Sequence, residues 1–323
     1  MNSRDQSDIY DLIKKYPGQL ERGFRIAEII HLPKLPKAVD QVVISAVSYN
    51  ATIAEMVKNL YTEDILVPFQ IHTGYGLPAR ITPQTLLVAI SLCGQHPEVL
   101  SAVQVAYKAG LKVAVITTGG ELEVFARERE LPLILLDKSL PEYKPAPANG
   151  SWGAGLMIAI LVHILIGIGL LPAKVRPQIL TAAKDIENMY LPRLGRKIAD
   201  LIADTNALIY SSEKYYGLAN FMKSIINILG EMPCFANTLS GGLGTEIYGF
   251  SRKGFAKYFA LILRDDTADK NIKWSTQQLE EKLSDAKLKN YVLDLPGQNQ
   301  LEKTLATPML IYWIAYSLIY PQK

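Results

Sequence analysis

Polar turns that carry glycine, hydroxyl and imidazole groups are the first candidates for chemistry in this sequence. The clearest runs from Ser91 to His96 (SLCGQH), after an apolar run and before a helical segment. Glycine allows a ligand to approach the backbone closely, and the unpaired N–H groups where a helix begins attract anions. The turn is therefore a candidate anion cradle, with an ordinary turn in which His96 caps the helix as the alternative.

A second polar turn, Thr117 to Gly120 (TTGG), has the same two interpretations. The glycines from Gly241 to Gly244 predict a flexible loop. His31 and His72 have no acidic or cysteine partner at ligand spacing, so both are interpreted as structural. The chain has no HExxH, P-loop, GxGxxG or Ser/His/Asp pattern, and we expect no metal and no cofactor.

Charge and cysteine usage narrow the class of protein further. The formal net charge is +3 and no dense block of lysine and arginine occurs, which argues against a nucleic-acid partner. Cys93 and Cys234 lie far apart without metal or redox spacing, so we expect a reducing, cytoplasmic location. The mixed, charged N-terminus predicts no secretory signal.

The elements that must position these turns alternate along the chain. Apolar runs rich in β-branched residues predict strands buried on both faces, and segments with helical spacing separate them. Such alternation indicates parallel sheets with right-handed crossovers, and 323 residues suggest two domains. The predicted strands are Gln41 to Val47, Ile65 to Ile71, Leu86 to Leu92, Leu111 to Thr117 and Leu133 to Leu136, then, more faintly, Asn206 to Tyr210, Cys234 to Asn237, Tyr258 to Leu263 and Tyr291 to Leu293.

We therefore predict an α/β fold of two tandem domains, each a mainly parallel sheet flanked by helices. Ligands bind beyond the carboxyl ends of parallel strands. Candidate sites are thus Ser45 to Asn50, Ser91 to His96, Thr117 to Gly120 and the loop Ala146 to Ser151. The expected boundaries are a helical lead-in at 1–37, a first domain at 38–150, connecting helices at 151–204 and a shortened second domain at 205–323.

The segment from Gly153 to Leu171 carries no formal charge and is long enough to span a bilayer. His163 lies in its middle. A helix buried in a domain or subunit core is also apolar all round, and this is the interpretation we favour over a membrane anchor. Such a helix needs extensive cover, so a homodimer is expected.

The order of these elements resembles the bifunctional phosphoglucose/phosphomannose isomerases, which consist of two sugar-isomerase (SIS) domains. The similarity is carried by YGLP from Tyr75, TPQTLLV from Thr82, SLCG from Ser91 and TTGG from Thr117. In the C-terminal half, Pro233 to Leu239 and Glu246 to Phe250 resemble a further family segment. The resemblance implies binding of a phosphorylated sugar and aldose–ketose isomerisation between glucose 6-phosphate or mannose 6-phosphate and fructose 6-phosphate.

The chain departs from the family pattern where chemistry is expected. The family's first glycine turn falls on Ala46 to Asn50, and a serine and a threonine of its phosphate loop are replaced by Cys93 and His96. An arginine position falls near Asn149, the segment of the isomerase base falls on Asn227 to Leu229, and a histidine position falls on Gly244, close to the retained Glu246. The family's C-terminal tail is absent before the chain stops at Lys323.

These departures remove the groups that would transfer a proton and stabilise an enediolate. The resemblance thus implies a sugar-phosphate protein whose inherited isomerase activity is weak or lost, with a non-catalytic sensor or structural partner as the alternative. Glu246 is the one candidate catalytic residue. The candidate substrate-binding residues are Ser48, Asn50, Ser91, Cys93, Gly94, Gln95, His96, Thr117 and Asn149.

Overall fold

The computed structural model describes residues 3–30, 39–143, 151–250 and 257–321. The chain divides into two compact units. The N-terminal unit is Tyr16–Thr181, and the C-terminal unit joins Met1–Lys15 to Ala182–Lys323. Helix α1 (Ser3–Lys14) belongs to the C-terminal unit.

The N-terminal unit is built on five parallel strands in the order β2-β1-β3-β4-β5. The central strands consist almost entirely of buried, mostly β-branched residues, as expected of a sheet covered on both faces. The elements are α2 (Tyr16–Ala27), β1 (Gln41–Ala46), α3 (Ser48–Leu60), β2 (Phe69–His72), β3 (Thr85–Ile90), α4 (Pro97–Lys108), β4 (Lys112–Thr117), α5 (Gly120–Glu128), β5 (Leu133–Leu135), a 3₁₀ turn (Pro141–Tyr143) and α6 (Ala154–Gly167).

Helix α6 is the predicted apolar helix, and the unit buries it. Ala154 and the residues from Leu156 to Val162 are at most 2% exposed, and the helix packs against α2 and α3. Gln19 of α2 anchors its start, because its amide donates to the Trp152 carbonyl at 2.9 Å and accepts from Gly155 N at 3.1 Å. None of the helices in the described part of the chain has the length and hydropathy that a membrane crossing requires.

The C-terminal unit has four parallel strands in the order β7-β6-β8-β9. Its last helix is buried along most of its length and packs against two earlier helices, α8 and α9. The elements are α7 (Val175–Glu187, which crosses the boundary between the units), α8 (Pro192–Ile202), β6 (Asn206–Ser211), a 3₁₀ turn (Glu213–Tyr215), α9 (Tyr216–Leu229), β7 (Cys234–Thr238), α10 (Leu239–Gly241), a π-helical turn (Gly242–Glu246), α11 (Ile247–Gly249), β8 (Tyr258–Arg264), α12 (Lys270–Asp285), β9 (Lys289–Asp294) and α13 (Gln300–Ile319).

The predicted α/β class with two parallel sheets is confirmed, and two local predictions were wrong. The segment Gly241 to Gly244 is helical and not a flexible loop, because the Thr238 hydroxyl accepts from Gly241 N at 3.1 Å and caps the first turn. The predicted site Ser45 to Asn50 is not one continuous turn, because β1 ends at Ala46 and helix α3 begins at Ser48, which has a φ of 55°.

Candidate functional site

The turn from Ser91 to His96 joins β3 to α4 at the carboxyl edge of the N-terminal sheet. Ser91 is fully buried, while Cys93 and Gln95 are exposed. His96 is the N-cap residue of α4, but its imidazole does not cap the helix: His96 Nδ1 lies 2.7 Å from Ser91 Oγ instead. The first turn of α4 therefore presents N–H groups that no capping side chain satisfies, which is the arrangement that attracts anions.

Gly94 packs directly against the next turn along this edge of the sheet, Thr117 to Gly120. Its φ is 67°, and a Cβ placed on it would lie 1.7 Å from the carbonyl oxygen of Gly119. Gly120 has a φ of 76°, and its added Cβ would lie 2.4 Å from the Cys93 carbonyl oxygen. Only glycine combines this left-handed backbone with such close approach, so both positions require it.

Hydrogen bonds to backbone carbonyls join the same two turns. Leu122 N donates to Gly94 O at 3.0 Å, and the hydroxyl of Thr118 donates to Leu92 O at 2.6 Å. The buried hydroxyl of Thr117 donates to Gly119 O at 2.7 Å and accepts from Gly119 N at 3.1 Å. Thr117 therefore supports the shape of the turn with the hydroxyl that was predicted to contact substrate.

The turn between β1 and α3 leaves the same edge, because Ala46 of β1 pairs with Ile90 of β3. Asn50 is 2% exposed, and its Oδ1 has no hydrogen-bond partner among the described residues, while Ser48 is exposed. Burial raises the pKa of the Tyr49 phenol, and the charges of Tyr143 and Cys93 raise it further. Cys93 and Tyr49, in the first turn of α3, therefore interact electrostatically.

The N-terminal sheet therefore gathers most of the predicted binding residues at one edge. Asn149, with most of the loop Ala146 to Ser151, lies outside the described residues, as does His31. Among the residues that the structure describes, no cluster of three or more His, Cys, Asp and Glu side chains could hold a metal ion.

Lys138 is a cation at this edge that the sequence did not single out. A Cβ built on Gly119 would lie 2.8 Å from Lys138 Nζ and 3.4 Å from Glu123 Oε2. The ammonium group therefore lies beside the turn Thr117 to Gly120, with one carboxylate near it. The strand order was the signal that could have identified it, since β5 neighbours β4 and Lys138 follows the end of β5.

Glu246 lies in the C-terminal unit, at the end of the π-helical turn. Its Oε2 accepts from Tyr210 OH at 2.6 Å, and its Oε1 accepts from Asn237 Nδ2 at 2.7 Å. Burial raises the pKa of Tyr210, and the hydrogen bond to Glu246 raises it further. Both carboxylate oxygens are thus used within the unit, where they hold the segment after β7 against β6.

The positions at which the resemblance implies a base and a histidine carry other groups. The Asn227 amide accepts from Cys234 N at 2.8 Å and so supports the start of β7, and Ile228 offers no titratable group. Gly244 is exposed, and a Cβ added to it would meet no atom within 4 Å. The described geometry of the C-terminal unit therefore places no base or acid at these positions.

A buried ionic cluster lies after β8 of the C-terminal unit. Lys303 Nζ donates to Asp265 Oδ1 at 2.6 Å and to Thr267 Oγ1 at 3.2 Å, and it also bonds Asp266. Burial by itself would raise the pKa of Asp265, but hydrogen bonds from Lys303, Thr267 and Tyr215 hold it well below its usual range. The cluster joins the β8–α12 loop to the first turn of α13.

Comparison with known proteins extends over both units. The model of the bacterial phospho-glucose isomerase C-terminal SIS domain matches residues 193–320. A bifunctional phosphoglucose/phosphomannose isomerase of Caldicellulosiruptor bescii is 25% identical over 272 residues, covering 81% of this chain and 78% of that protein. One of Aquifex aeolicus is 24% identical over 248 residues, covering 76% and 72%.

Solved structures share the fold at low identity. The tagatose-6-phosphate ketose/aldose isomerase of Escherichia coli has a TM-score of 0.69 at 14% identity, covering 96% of this chain and 92% of that one. The C-terminal domain of the glucosamine-fructose-6-phosphate aminotransferase of Francisella tularensis also has a TM-score of 0.69, at 12% identity, covering 97% and 95%. Both neighbours support the assignment of an SIS-type fold.

Proposed function

Because the chain is a divergent member of the bifunctional phosphoglucose/phosphomannose isomerase family, we propose that it binds a hexose 6-phosphate at the carboxyl edge of its N-terminal sheet. Its relatives are sugar-phosphate isomerases of the SIS type. The phosphate would lie against the turn Ser91 to His96, with Ser48 and Asn50 reaching the sugar.

The observation that carries this proposal is the interlock of the turns at Gly94 and Gly120. It fixes the backbone just before α4, and the imidazole of N-cap His96 bonds Ser91 and does not cap the first N–H groups of the helix. An N-terminal helix end of this kind favours negative charge by typically about 0.3–1 kcal/mol at an exposed site. The ammonium group of Lys138, beside the neighbouring turn, adds attraction for a dianion.

We further propose that turnover is weak or absent. Isomerisation moves a proton from C2 of the sugar and needs a base within hydrogen-bond reach. Neither Ile228 nor Gly244 can serve, and both oxygens of Glu246 are already hydrogen-bonded. Losing one group that stabilises an oxyanion costs about 10²–10³ in rate, and this chain departs from the family at several such positions.

Ligand-dependent thermal unfolding tests binding. Glucose 6-phosphate and fructose 6-phosphate should raise the melting temperature, while glucose at the same concentration should not, since the attraction is to the phosphate. Inorganic phosphate is the matched control for the anion alone. An equal shift with glucose, or none with any phosphosugar, would contradict the proposal.

A coupled assay with glucose 6-phosphate, mannose 6-phosphate and fructose 6-phosphate tests turnover. We expect rates far below the ordinary enzymatic range of about 1–10³ s⁻¹. Rates within that range would refute the loss of catalysis and leave the binding proposal standing. Binding without turnover would favour the alternative function, a non-catalytic phosphosugar sensor.

The expected assembly and domain organisation are proposed as well. We propose a cytoplasmic location, supported by two cysteines that lack the spacing typical of disulfides. We also propose a homodimer, whose interface would lie outside helix α6, because α2 and α3 already cover that helix. Light scattering of the purified chain measures its mass against 35.8 kDa for one copy. The proposed SIS domains are residues 38–150 and 205–323, preceded by a helical lead-in at 1–37 and joined by helices at 151–204.

A further inference from the structure

The described cradle contains a nucleophile paired with a base. Cys93 Sγ lies 3.6 Å from His96 Nδ1 and 3.8 Å from Ser91 Oγ, and Ser91 Oγ lies 2.7 Å from His96 Nδ1. A thiol proton can thus reach the imidazole directly or through the serine hydroxyl. A nucleophile and a base within hydrogen-bond reach, oriented by a third group, is the arrangement that activates thiols.

The thiol is accessible and the base is held in place. Cys93 is exposed in the turn before α4, three residues ahead of the N-cap His96, whereas Ser91, which orients His96, is fully buried. Partly exposed cysteines next to a histidine are a common setting for reactive thiols. At the same edge of the sheet, the first turn of α3 holds the buried Oδ1 of Asn50, an acceptor without a partner among the described residues.

Cys234, the second cysteine of the chain, lies in a different environment from Cys93. It is 2% exposed, and burial raises the pKa of its thiol to about 12, against the opposing charge of Lys223. Its backbone N–H and carbonyl bind Asn227, and no histidine is among the hydrogen-bond partners that the described residues give it. One molecule thus holds one exposed thiol beside a histidine and one buried thiol without one among its described partners.

We propose that Cys93 is a modification site for hydroperoxides, with His96 as its base, and that oxidation there closes the cradle to phosphate. His96 takes the thiol proton, and the sulfur attacks one oxygen of hydrogen peroxide. The O–O bond breaks, and the hydroxide that leaves takes the proton from His96 to form water. The product is a sulfenic acid, one step up the cysteine oxidation ladder and reversible by thiols. The effect on phosphosugar binding rests on the proposed function.

The rate of oxidation decides the proposal without any sugar. The full chain is exposed to hydrogen peroxide with a sulfenic-acid trap, and mass spectrometry follows Cys93 and Cys234 separately. Cys93 should react first, and His96→Gln should slow it by about a hundredfold or more, since a positioned base typically contributes about 10²–10⁴-fold. His163→Gln, a change of the same kind on α6, should leave the rate unchanged. An unchanged rate in His96→Gln, or Cys93 reacting no faster than Cys234, would overturn the proposal.

Titration with glucose 6-phosphate measures the consequence for binding. Oxidised protein should bind about tenfold more weakly, a difference of about 1.4 kcal/mol. Cys93→Ser keeps a small polar side chain and should bind the sugar equally well before and after peroxide. Fast, His96-dependent oxidation in a chain that binds no phosphosugar would refute the proposed function alone. Unaltered binding after complete oxidation would refute the closure of the cradle.

Discussion

The buried ammonium group of Lys303 supports the strongest stability prediction for this chain. Lys303 has no exposed surface, and the side chain of its partner Asp265 is 4% exposed. Lys303→Met keeps much of the stem of the side chain but removes the charge. Asp265 would then remain buried with donors from Thr267 N, Thr267 Oγ1 and Tyr215 OH at 2.9, 2.6 and 3.0 Å.

The size of the effect follows from these contacts. Removing one partner of a buried ion pair costs about 3–5 kcal/mol, because an uncompensated charge is left behind. Since Asp265 keeps several donors, we expect the low end, about 3 kcal/mol of unfolding free energy. The pair with Asp266 adds little, because that carboxylate is 65% exposed and surface pairs contribute about 0–1 kcal/mol.

Urea unfolding and hydrogen exchange measure the effect. Exchange should accelerate at the amides that follow β8 and in the first turn of α13, since Lys303 joins them. Lys289→Met, which removes an exposed charge on β9, is the matched control and should change stability by at most about 0.5 kcal/mol. A loss below about 1 kcal/mol in Lys303→Met would refute the reasoning that an unpaired buried carboxylate is costly.

The same pair predicts the acid dependence of stability. The folded pKa of Asp265 lies below its unfolded value near 3.9, so its contribution is present above that value and is lost as the pH falls through the folded pKa. Acid unfolding of Asp265→Asn should therefore be flatter below about pH 4 than that of the unchanged chain. Parallel curves would contradict this assignment.

Three further predictions concern the N-terminal unit. Gly94→Ala should abolish phosphosugar binding and destabilise the unit, because its Cβ would lie 1.7 Å from the Gly119 carbonyl oxygen. Calorimetric titration measures the binding, and thermal melting measures the stability. Retained binding would contradict the requirement for glycine where the two turns meet. Lys138→Met should weaken glucose 6-phosphate binding by about tenfold, which corresponds to the loss of about 1.4 kcal/mol of charge attraction. Lys108→Met, which removes an exposed charge at the end of α4, is the control and should leave binding unchanged. Burial lowers the pKa of His163, and the charge of Arg176 lowers it further, so stability should fall as the pH drops below about 6.5. Urea unfolding across pH measures this dependence, and His163→Leu should remove it. If the variant keeps the same pH dependence, another group causes it.

The elements of the fold were predictable because their signals are local. The continuous apolar run at β1 predicts a buried parallel strand, and Gln41–Ala46 forms one. The apolar segment around His163 was ambiguous, since a spanning helix and a buried helix have the same composition. Tertiary packing decided the matter, because α2 and α3 cover α6 and the helix ends at Gly167.

The candidate site was only half predictable. The order of strands in the sheet brings the turns after β1, β3 and β4 to one edge, and a sequence with alternating strands and helices indicates that edge. The sequence did not indicate which side chains contact one another between neighbouring turns at this edge. The ammonium group of Lys138 lies beside Gly119, and the side chain of Thr117 is occupied by its own turn.

Glu246 illustrates the same limit in the C-terminal unit. Its retention in the sequence made it a candidate for catalysis, and the structure adds that both of its carboxylate oxygens accept hydrogen bonds, from Tyr210 and Asn237. Residues 9 and 36 positions away supply these contacts. A short stretch of sequence identifies the carboxylate but not the side chains that donate hydrogen bonds to it.

The amino-acid sequence alone determined the alternation of strands and helices, the glycine-bearing turns between them and the resemblance to the sugar-phosphate isomerases. These follow from periodic burial and backbone preference, which act over a few neighbouring residues. Only the tertiary structure decided that His96 binds Ser91 and not the helix, that Cys93 lies within reach of that imidazole, and that Lys303 is buried against Asp265. Side-chain partners depend on which elements pack together, and that depends on the free energy of the whole fold.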